Sequence, residues 1–298
     1  MDTKKGPGRP PKKAAAVALA RHGASAQPRV AGNRLELTFD RPDKFKELFR
    51  FFKNIKAGEI YLKAGPNGLA FLAQHQNQSL ACSTLFPAAE MNFFHCSEET
   101  WLAFNRGDVE KFFQNLNKNL HKIEFTVAWV EVKELVITVS DSAVDMDHHY
   151  KLAVALSQAP DWAVELEREV AGRDENFELV WGLKSDQFKQ QMAMAAVHTN
   201  TAQLEALGDE ARVILRYCDK SHHNHRIVFN DAEKIGLVST LGPQTFFEIE
   251  FSVSVVAALA GAMLAPGVRI YCSADAGRPL LFGLEGEPAC TYVSASRI

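Results

Sequence analysis

The sequence predicts an α+β protein of two similar domains, each built from antiparallel sheets with helices on one face. Apolar periodicity switches repeatedly between 2 and 3.6 residues, as it does where strands alternate with single helices. The order strand, helix, four strands, helix, strands occurs twice, each time over roughly 120 residues. Between the copies, SQAPDWAVELEREVAGRDEN (157–176) breaks the rhythm with a proline and, from Asp161 to Glu175, six acids against two bases. The predicted domains are therefore 35–156 and 177–298. A connecting loop at 157–176 joins them, and its AVELEREV stretch is able to form a helical turn or two.

Residues 1–34 precede both domains and lack apolar periodicity; rich in Ala, Gly, Pro and basic residues, they read as a disordered arm. Eight Lys/Arg against Asp2 alone give the arm +7, and the net −3 of the whole chain leaves −10 for the rest. A basic arm is attached to an acidic body.

The first domain opens with the alternating strand LELTF (35–39). In RPDKFKELFRFFKNIK the period becomes helical: Phe45, Leu48, Phe49, Phe52 and Ile55 form one stripe, with Pro42 and Asp43 suited to the first turn. Strands follow at 59–64, 68–74, 79–85 and 91–97, the first pair joined by the hairpin signal Asn67-Gly68. A second helix is predicted over 105–120, with Val109, Phe112, Phe113 and Leu116 inward, and then strands at IEFTVAWVEV, ELVITVS and YKLAVAL. In the second domain the strand FELVWGLK (177–184) leads into the helix SDQFKQQMAMAAVHT. Strands near ARVILRYC, HRIVFND, KIGLVST and FFEIEFS, a helix at 254–264, and strands at VRIYCSA, PLLFGLE and ACTYVSA complete it.

The 47% apolar content suffices for a sizeable core. The five cysteines (82, 96, 218, 272 and 290) lack CxxC spacing and read as reduced thiols of an intracellular protein. No apolar run reaches the ~18 residues of a membrane span, so neither insertion nor secretion is expected. Gly-rich phosphate loops, a G-x-S-x-G elbow and a Cys/His nucleophile context are absent, so no enzyme is expected. Cys218 with His222, His223 and His225, and the run Asp145 to His149, lack zinc-site spacing; no metal or cofactor is expected.

Several segments together resemble the PCNA (proliferating cell nuclear antigen) family of DNA sliding clamps. SADAGRPLLFGLE (273–285) is similar to that family's S-A-D-x-P-L strand pair, with two residues inserted before Pro279. Ala295-Ser296-Arg297-Ile298 is similar to the Ala-Pro-Lys-Ile that closes many clamps, NGLAFLAQHQNQSLACSTL (67–85) to an early strand pair, and FELVWGLKSDQFKQQ to the strand and helix after the connecting loop. The likeness spans about residues 35–298; with its basic arm, the chain looks most like clamp-like proteins of large DNA viruses.

The resemblance implies a homotrimeric ring around double-stranded DNA that keeps a DNA polymerase on its template and docks other clients through short peptides. It also implies an intracellular location at sites of DNA replication, such as a viral factory in the host cytoplasm or nucleus. Helix charge agrees with this. Lys46, Arg50 and Lys53 recur at i, i+4 and i+7 opposite the Phe45 stripe, and Lys111, Asn115 and Lys118 repeat the spacing, as helices facing phosphates require. In the second domain Lys184 and Lys189 continue the set, while SVVAALAGAML carries no charge: either it is more buried, or the channel is lopsided. By position in the family, the client pocket would involve Gln74, Gln78, Pro279, Val293, Ala295 and Ile298, with His75 as alternative to Gln78 and Tyr292 to Val293.

In the arm, Gly8-Arg9-Pro10 flanked by Lys4, Lys5, Lys12 and Lys13 resembles an AT-hook. Glycine permits close approach to the minor groove, proline keeps the chain extended, and arginine follows the groove potential. Pro7 stands where the usual hook has arginine, which implies weak, salt-sensitive tethering; nuclear import or a solubilising tail are the other readings. For the whole chain, the alternatives to a clamp are a monomeric processivity factor and an architectural protein of AT-rich DNA.

Overall fold

The computed structural model describes residues 33–298, apart from 106, 109–110, 113–119, 129–133, 142–143, 208–211, 220, 243–244, 263–264, 276, 286–289 and 296–298. The arm residues Lys4, Lys5, Gly8, Arg9, Pro10, Lys12 and Lys13, together with Lys118 and Ile298, lie outside the described residues.

The first half contains strands β1 (Asn33–Phe39), β2 (Ala57–Gly65), β3 (Gly68–His75), β4 (Leu80–Pro87), β5 (Phe93–Cys96), β6 (Thr100–Phe104), β7 (Leu120–Ala128), β8 (Glu134–Asp141) and β9 (Met146–Ser157). The second contains β10 (Leu179–Lys184), β11 (Thr201–Leu207), β12 (Val213–Cys218), β13 (Asn224–Phe229), β14 (Val238–Ser239), β15 (Phe246–Ser252), β16 (Gly267–Cys272), β17 (Leu280–Glu285) and β18 (Cys290–Ala295). Helices α1 (Pro42–Asn54), α2 (Asp161–Ala171), α3 (Ser185–His198) and α4 (Val253–Ala262) accompany them.

Several expectations are corrected. β6 and β11 were not anticipated. Six of the seven residues of TAQLEAL in β11 are good helix formers, but β12 and β15 on either side hold it extended. The predicted strand near 234–240 is a helical turn at Ala232–Ile235 followed by the two residues of β14. Most of the connecting segment is helix, not loop: Pro160 caps α2, Asp161 sits in its first turn, and Ala163 and Leu166 are buried at i, i+3 spacing. The predicted helix at 105–120 is helical at Gly107, Asp108, Lys111 and Phe112, while most of its interior lies outside the described residues.

All pairings among the described strands are antiparallel. Fourteen strands form one sheet in the order β14-β10-β16-β17-β18-β4-β3-β2-β6-β9-β8-β7-β1-β5, and four form another, β13-β12-β11-β15. The two halves meet inside the larger sheet, where β18 pairs β4 from Cys290 opposite Leu85 to Ala295 opposite Leu80. This continuity makes Gly32–Ile298 one compact unit. The β2–β3 hairpin turns at Gly68, where φ is +135° and a Cβ would come within 2.1 Å of the Phe86 carbonyl oxygen, so only glycine fits.

The α1 stripe supplies much of the first half's core. Phe45 stacks on Phe86 at 4.6 Å and meets Phe39, Phe125 and Phe71 at 5.3, 5.2 and 5.7 Å. Such ring pairs each add about 0.5–1.5 kcal/mol beyond area burial. α1 also touches α4, and α4 packs on α3, so these three helices lie side by side. The opposite, outer face of the sheet is covered in part by α2.

Candidate nucleic-acid and docking surfaces

Helix α1 has two distinct faces. Phe45, Leu48, Phe49, Phe51 and Phe52 are buried, whereas Lys46, Arg50 and Lys53 are exposed. Packing the phenyl stripe into the sheet therefore leaves the three cations on the open side. Lys111 is exposed on its helical stretch, Lys184 is exposed at the entry of α3, and Lys189 is half-buried.

The second half differs. On α3 the exposed residues include Gln187, Gln190, Met194 and Val197; on α4 they are Ser254, Ala258 and Gly261, spaced i, i+4, i+7. The uncharged α4 thus has an open face of small side chains, and basic charge on the described helices is concentrated on α1.

The docking residues separate. Strand register brings Gln74 opposite Ala81, Ala81 opposite Ser294, and Ser294 opposite Leu281, so Gln74, the end of β18 and Pro279 share one end of the sheet. Gln74 is half-buried and Gln78 exposed, the latter in a turn with φ +64° where Asn77 accepts hydrogen bonds from Ser79. Val293 and Ala295, however, are fully buried in the main core and offer no surface to a peptide. Alternation along β18 turns Tyr292 to the outer face, where it lies half-buried against Leu166 and Val170.

That outer face is roofed by α2, whose role the sequence reading missed. Its first turns place Ala163 and Trp162 against Ala70, Leu72, Trp101 and Tyr61 of the first half. Further along, Leu166 and Val170 pack with Phe177, Tyr271, Leu281 and Tyr292 of the second. Ion pairs fasten the helix to both halves: Lys63 donates to both Glu167 oxygens at 2.8 and 2.9 Å, and Arg278 donates to Glu169 at 2.8 Å. The helix straddles the β18–β4 seam like a strap. The acidic composition that made 157–176 look like a loop supplies the charges that fasten it.

Among the described strands, β9 and β13 are two that keep an open edge. Residues Met146–Ala153 of β9 pair only with β8, and β13 pairs only with β12, among the described pairings. Each unpaired edge presents main-chain donors and acceptors that another strand can complete. Exposed apolar side chains surround them: Met146 and Tyr150 on β9, Val228 on β13, and Met194 and Val197 on α3. β5 and β14 also have one described partner each but are only four and two residues long, and β15 exposes Glu248 and Glu250.

The hairpin leading into β13 is organised by Asp219. Its carboxylate accepts main-chain N–H bonds from Ser221 (2.8 Å) and His223 (2.9 Å) and lies 3.1 Å from His225 Nε2. The His223 N–H foremost, then the His225 side chain, hold this carboxyl well below the usual carboxylate range. The His222–His225 run thus belongs to a turn, and among the described residues no cluster of three or more His, Cys, Asp or Glu is arranged for a metal ion. Cys82 and Cys272 are buried, Cys96 is half-buried and Cys218 exposed; burial pushes the Cys82 thiol far up. No helix among the described residues is long and apolar enough to cross a membrane.

The antiparallel sheet that joins the two halves, with a row of helices on one face, has counterparts among solved structures. PCNA from Thermococcus kodakaraensis superposes with a TM-score of 0.69 at 13% identity, covering 89% of this chain and 100% of that one. Proliferating cellular nuclear antigen from Entamoeba histolytica gives 0.66 at 13%, covering 89% and 99%. The chain has the PCNA fold, as the resemblance in its sequence implied.

By sequence it is similar to an uncharacterized protein of African swine fever virus. The Kenyan and Namibian isolates' copies are each 28% identical over 272 residues, covering 91% of this chain and 90% of the viral protein. No protein-family model matches the chain.

Proposed function

We propose that this protein is a non-enzymatic DNA sliding clamp: a homotrimer that encircles duplex DNA, acts as a DNA polymerase processivity factor, and offers docking surfaces to other clients. The observation that carries this reading is the pair of open edges, β9 in one half and β13 in the other, on a chain with the PCNA fold. Head-to-tail pairing of two different edges generates rings when the rotation closes. Exposed Met146, Tyr150, Met194 and Val197 supply apolar surface for such a contact. The clamp domains would be 35–156 and 177–298, with 157–176 connecting them.

In a closed ring, Lys46, Arg50 and Lys53 of three α1 helices would face the DNA with Lys111, Lys118, Lys184 and Lys189. A lopsided lining is tolerable because topology, not phosphate affinity, retains a ring. The arm, with Arg9 between Gly8 and Pro10, would tether the ring to A·T-rich DNA, three arms acting together. Similarity to a viral protein supports an intracellular role at sites of viral DNA replication.

The test has two parts. Light scattering coupled to size exclusion should give a mass near three protomers, and Tyr150→Glu should reduce it to one. After loading, the protein should stay on circular plasmid in high salt and leave once the plasmid is cut. A single-protomer mass at every concentration, with salt-labile binding indifferent to cutting, would favour the monomeric processivity factor. Loss of all DNA association on deleting residues 1–34 would favour the architectural protein.

A further inference from the structure

We infer that the seam between copies is gated by histidine protonation: closure buries His198 and His225 of one protomer against the edge carrying His148 of the next. This rests on the ring reading above. The two open edges carry imidazoles on the same side of the sheets. On β9, Leu152 and Val154 point into the core, so Met146, His148 and Tyr150, at the same parity, share that face. On β13, Ile227 and Phe229 pack against the core, so His225 shares theirs.

The rings are already assembled on the β13 side. His225 stacks on Tyr217 at 4.9 Å and 11°, and His198, from the last turn of α3, stacks on His225 at 5.3 Å and 18°. Met194 and Val197 of α3, 46% and 71% exposed, belong to the same helix end. On the β9 side, His148 lies 6.5 Å from Tyr150, which in turn meets Phe112 at 4.7 Å.

Burial of aromatic rings among exposed apolar groups is favourable while the imidazoles are neutral. Two stacked rings at 5.3 Å that both carry a proton repel each other, and covering them removes the water that screens them. Of the surrounding charges, Asp219 faces His223 and His225 and balances a proton on His225, so it is a second proton, on His198, that opposes closure; Arg216 pairs with Glu205, and Arg226 sits on the other face of β13. Around β9, Lys151 pairs with Glu134, Ser140 donates to Asp147, and His149 contacts Thr138; Asp141 ends β8, and Lys111 neighbours Phe112.

Assembly then excludes protons. Histidine is the side chain that changes charge between about pH 5 and 8, so where closure excludes a proton the association constant should fall by up to about tenfold per pH unit. Sedimentation velocity on the full chain at pH 7.5, 6.5 and 5.5, with circular dichroism at each pH, tests this. The expected result is a trimer at pH 7.5 that becomes protomers by pH 5.5 with the fold retained and re-forms on return. The double variant His198→Gln, His225→Gln should remain trimeric throughout. A native trimer that survives pH 5.5, a variant that dissociates as the native does, or a dichroism loss coincident with dissociation each overturns the gate. Absence of a trimer at pH 7.5 overturns the ring reading itself.

Discussion

Arg278→Ala tests whether α2 is a fastened strap. The side chain of Glu169 is only 8% exposed and its carboxylate accepts from Arg278 Nη1 at 2.8 Å, while Arg278 keeps 28% exposure and also approaches Asp275 at 3.5 Å. Removing one partner of a fully buried pair costs about 3–5 kcal/mol, because a charge is stranded out of water. The residual exposure of Arg278 lowers the expectation to about 2–3 kcal/mol. Replacing both partners, Glu169→Leu with Arg278→Met, should return stability to within about 1 kcal/mol of native, since two desolvated charges leave together. Urea unfolding gives the free energies, and Trp162 fluorescence reports α2 directly through its edge contact with Tyr61 at 6.0 Å. Limited proteolysis within α2 should rise in the single variant and subside in the double. A single variant within about 0.5 kcal/mol of native, with no change in Trp162 emission, would refute the buried-charge reasoning and leave the strap held by apolar contacts alone.

Other perturbations probe the remaining surfaces. Phe45→Ala should cost about 3–5 kcal/mol in urea unfolding, because four neighbouring rings lose their common partner; a loss below about 1.5 kcal/mol would contradict its central place. Neutralising Lys46, Arg50 and Lys53 to Gln should lower the salt slope of DNA binding by about 0.9 for each phosphate no longer neutralised, and Lys184→Gln with Lys189→Gln should change it less. Equal effects would refute a lopsided lining. Asp219→Asn should destabilise the protein at pH 7: a carboxyl held below its ordinary value near 3.8 contributes stability above that pH and loses it as pH falls. The gap between native and variant in urea melts should therefore narrow below about pH 4, and a constant gap from pH 7 to pH 3 would show that the charge is not what matters.

Much of the architecture was legible because local rules and tertiary packing agree. In α1, a phenyl stripe opposite a cationic one specifies both the helix and the face it buries. The strand-then-helix passage into α3 was equally plain, since alternation in LVWGLK stops at Ser185, whose hydroxyl donates to the Ala265 carbonyl. Where local preference and long-range pairing disagree, reading failed. TAQLEAL favours helix in isolation and becomes β11 because two neighbours complete its hydrogen bonds. Period two in CTYVSA separates Tyr292 from Val293, yet only the packed sheet reveals which of them faces inward.

By itself, the sequence determined the fold class, the twofold repetition, the apolar and basic faces of α1 and the charge split between arm and body, because periodicity and composition are local quantities. The tertiary structure alone decided that an acidic linker closes over the β18–β4 seam, that Val293 and Ala295 are core, and that β9 and β13 keep open edges. The reason is physical. An edge is defined by the neighbour a strand lacks, and a strap by the surfaces it joins; both depend on residues more than a hundred positions apart, as Lys63 and Glu167 are.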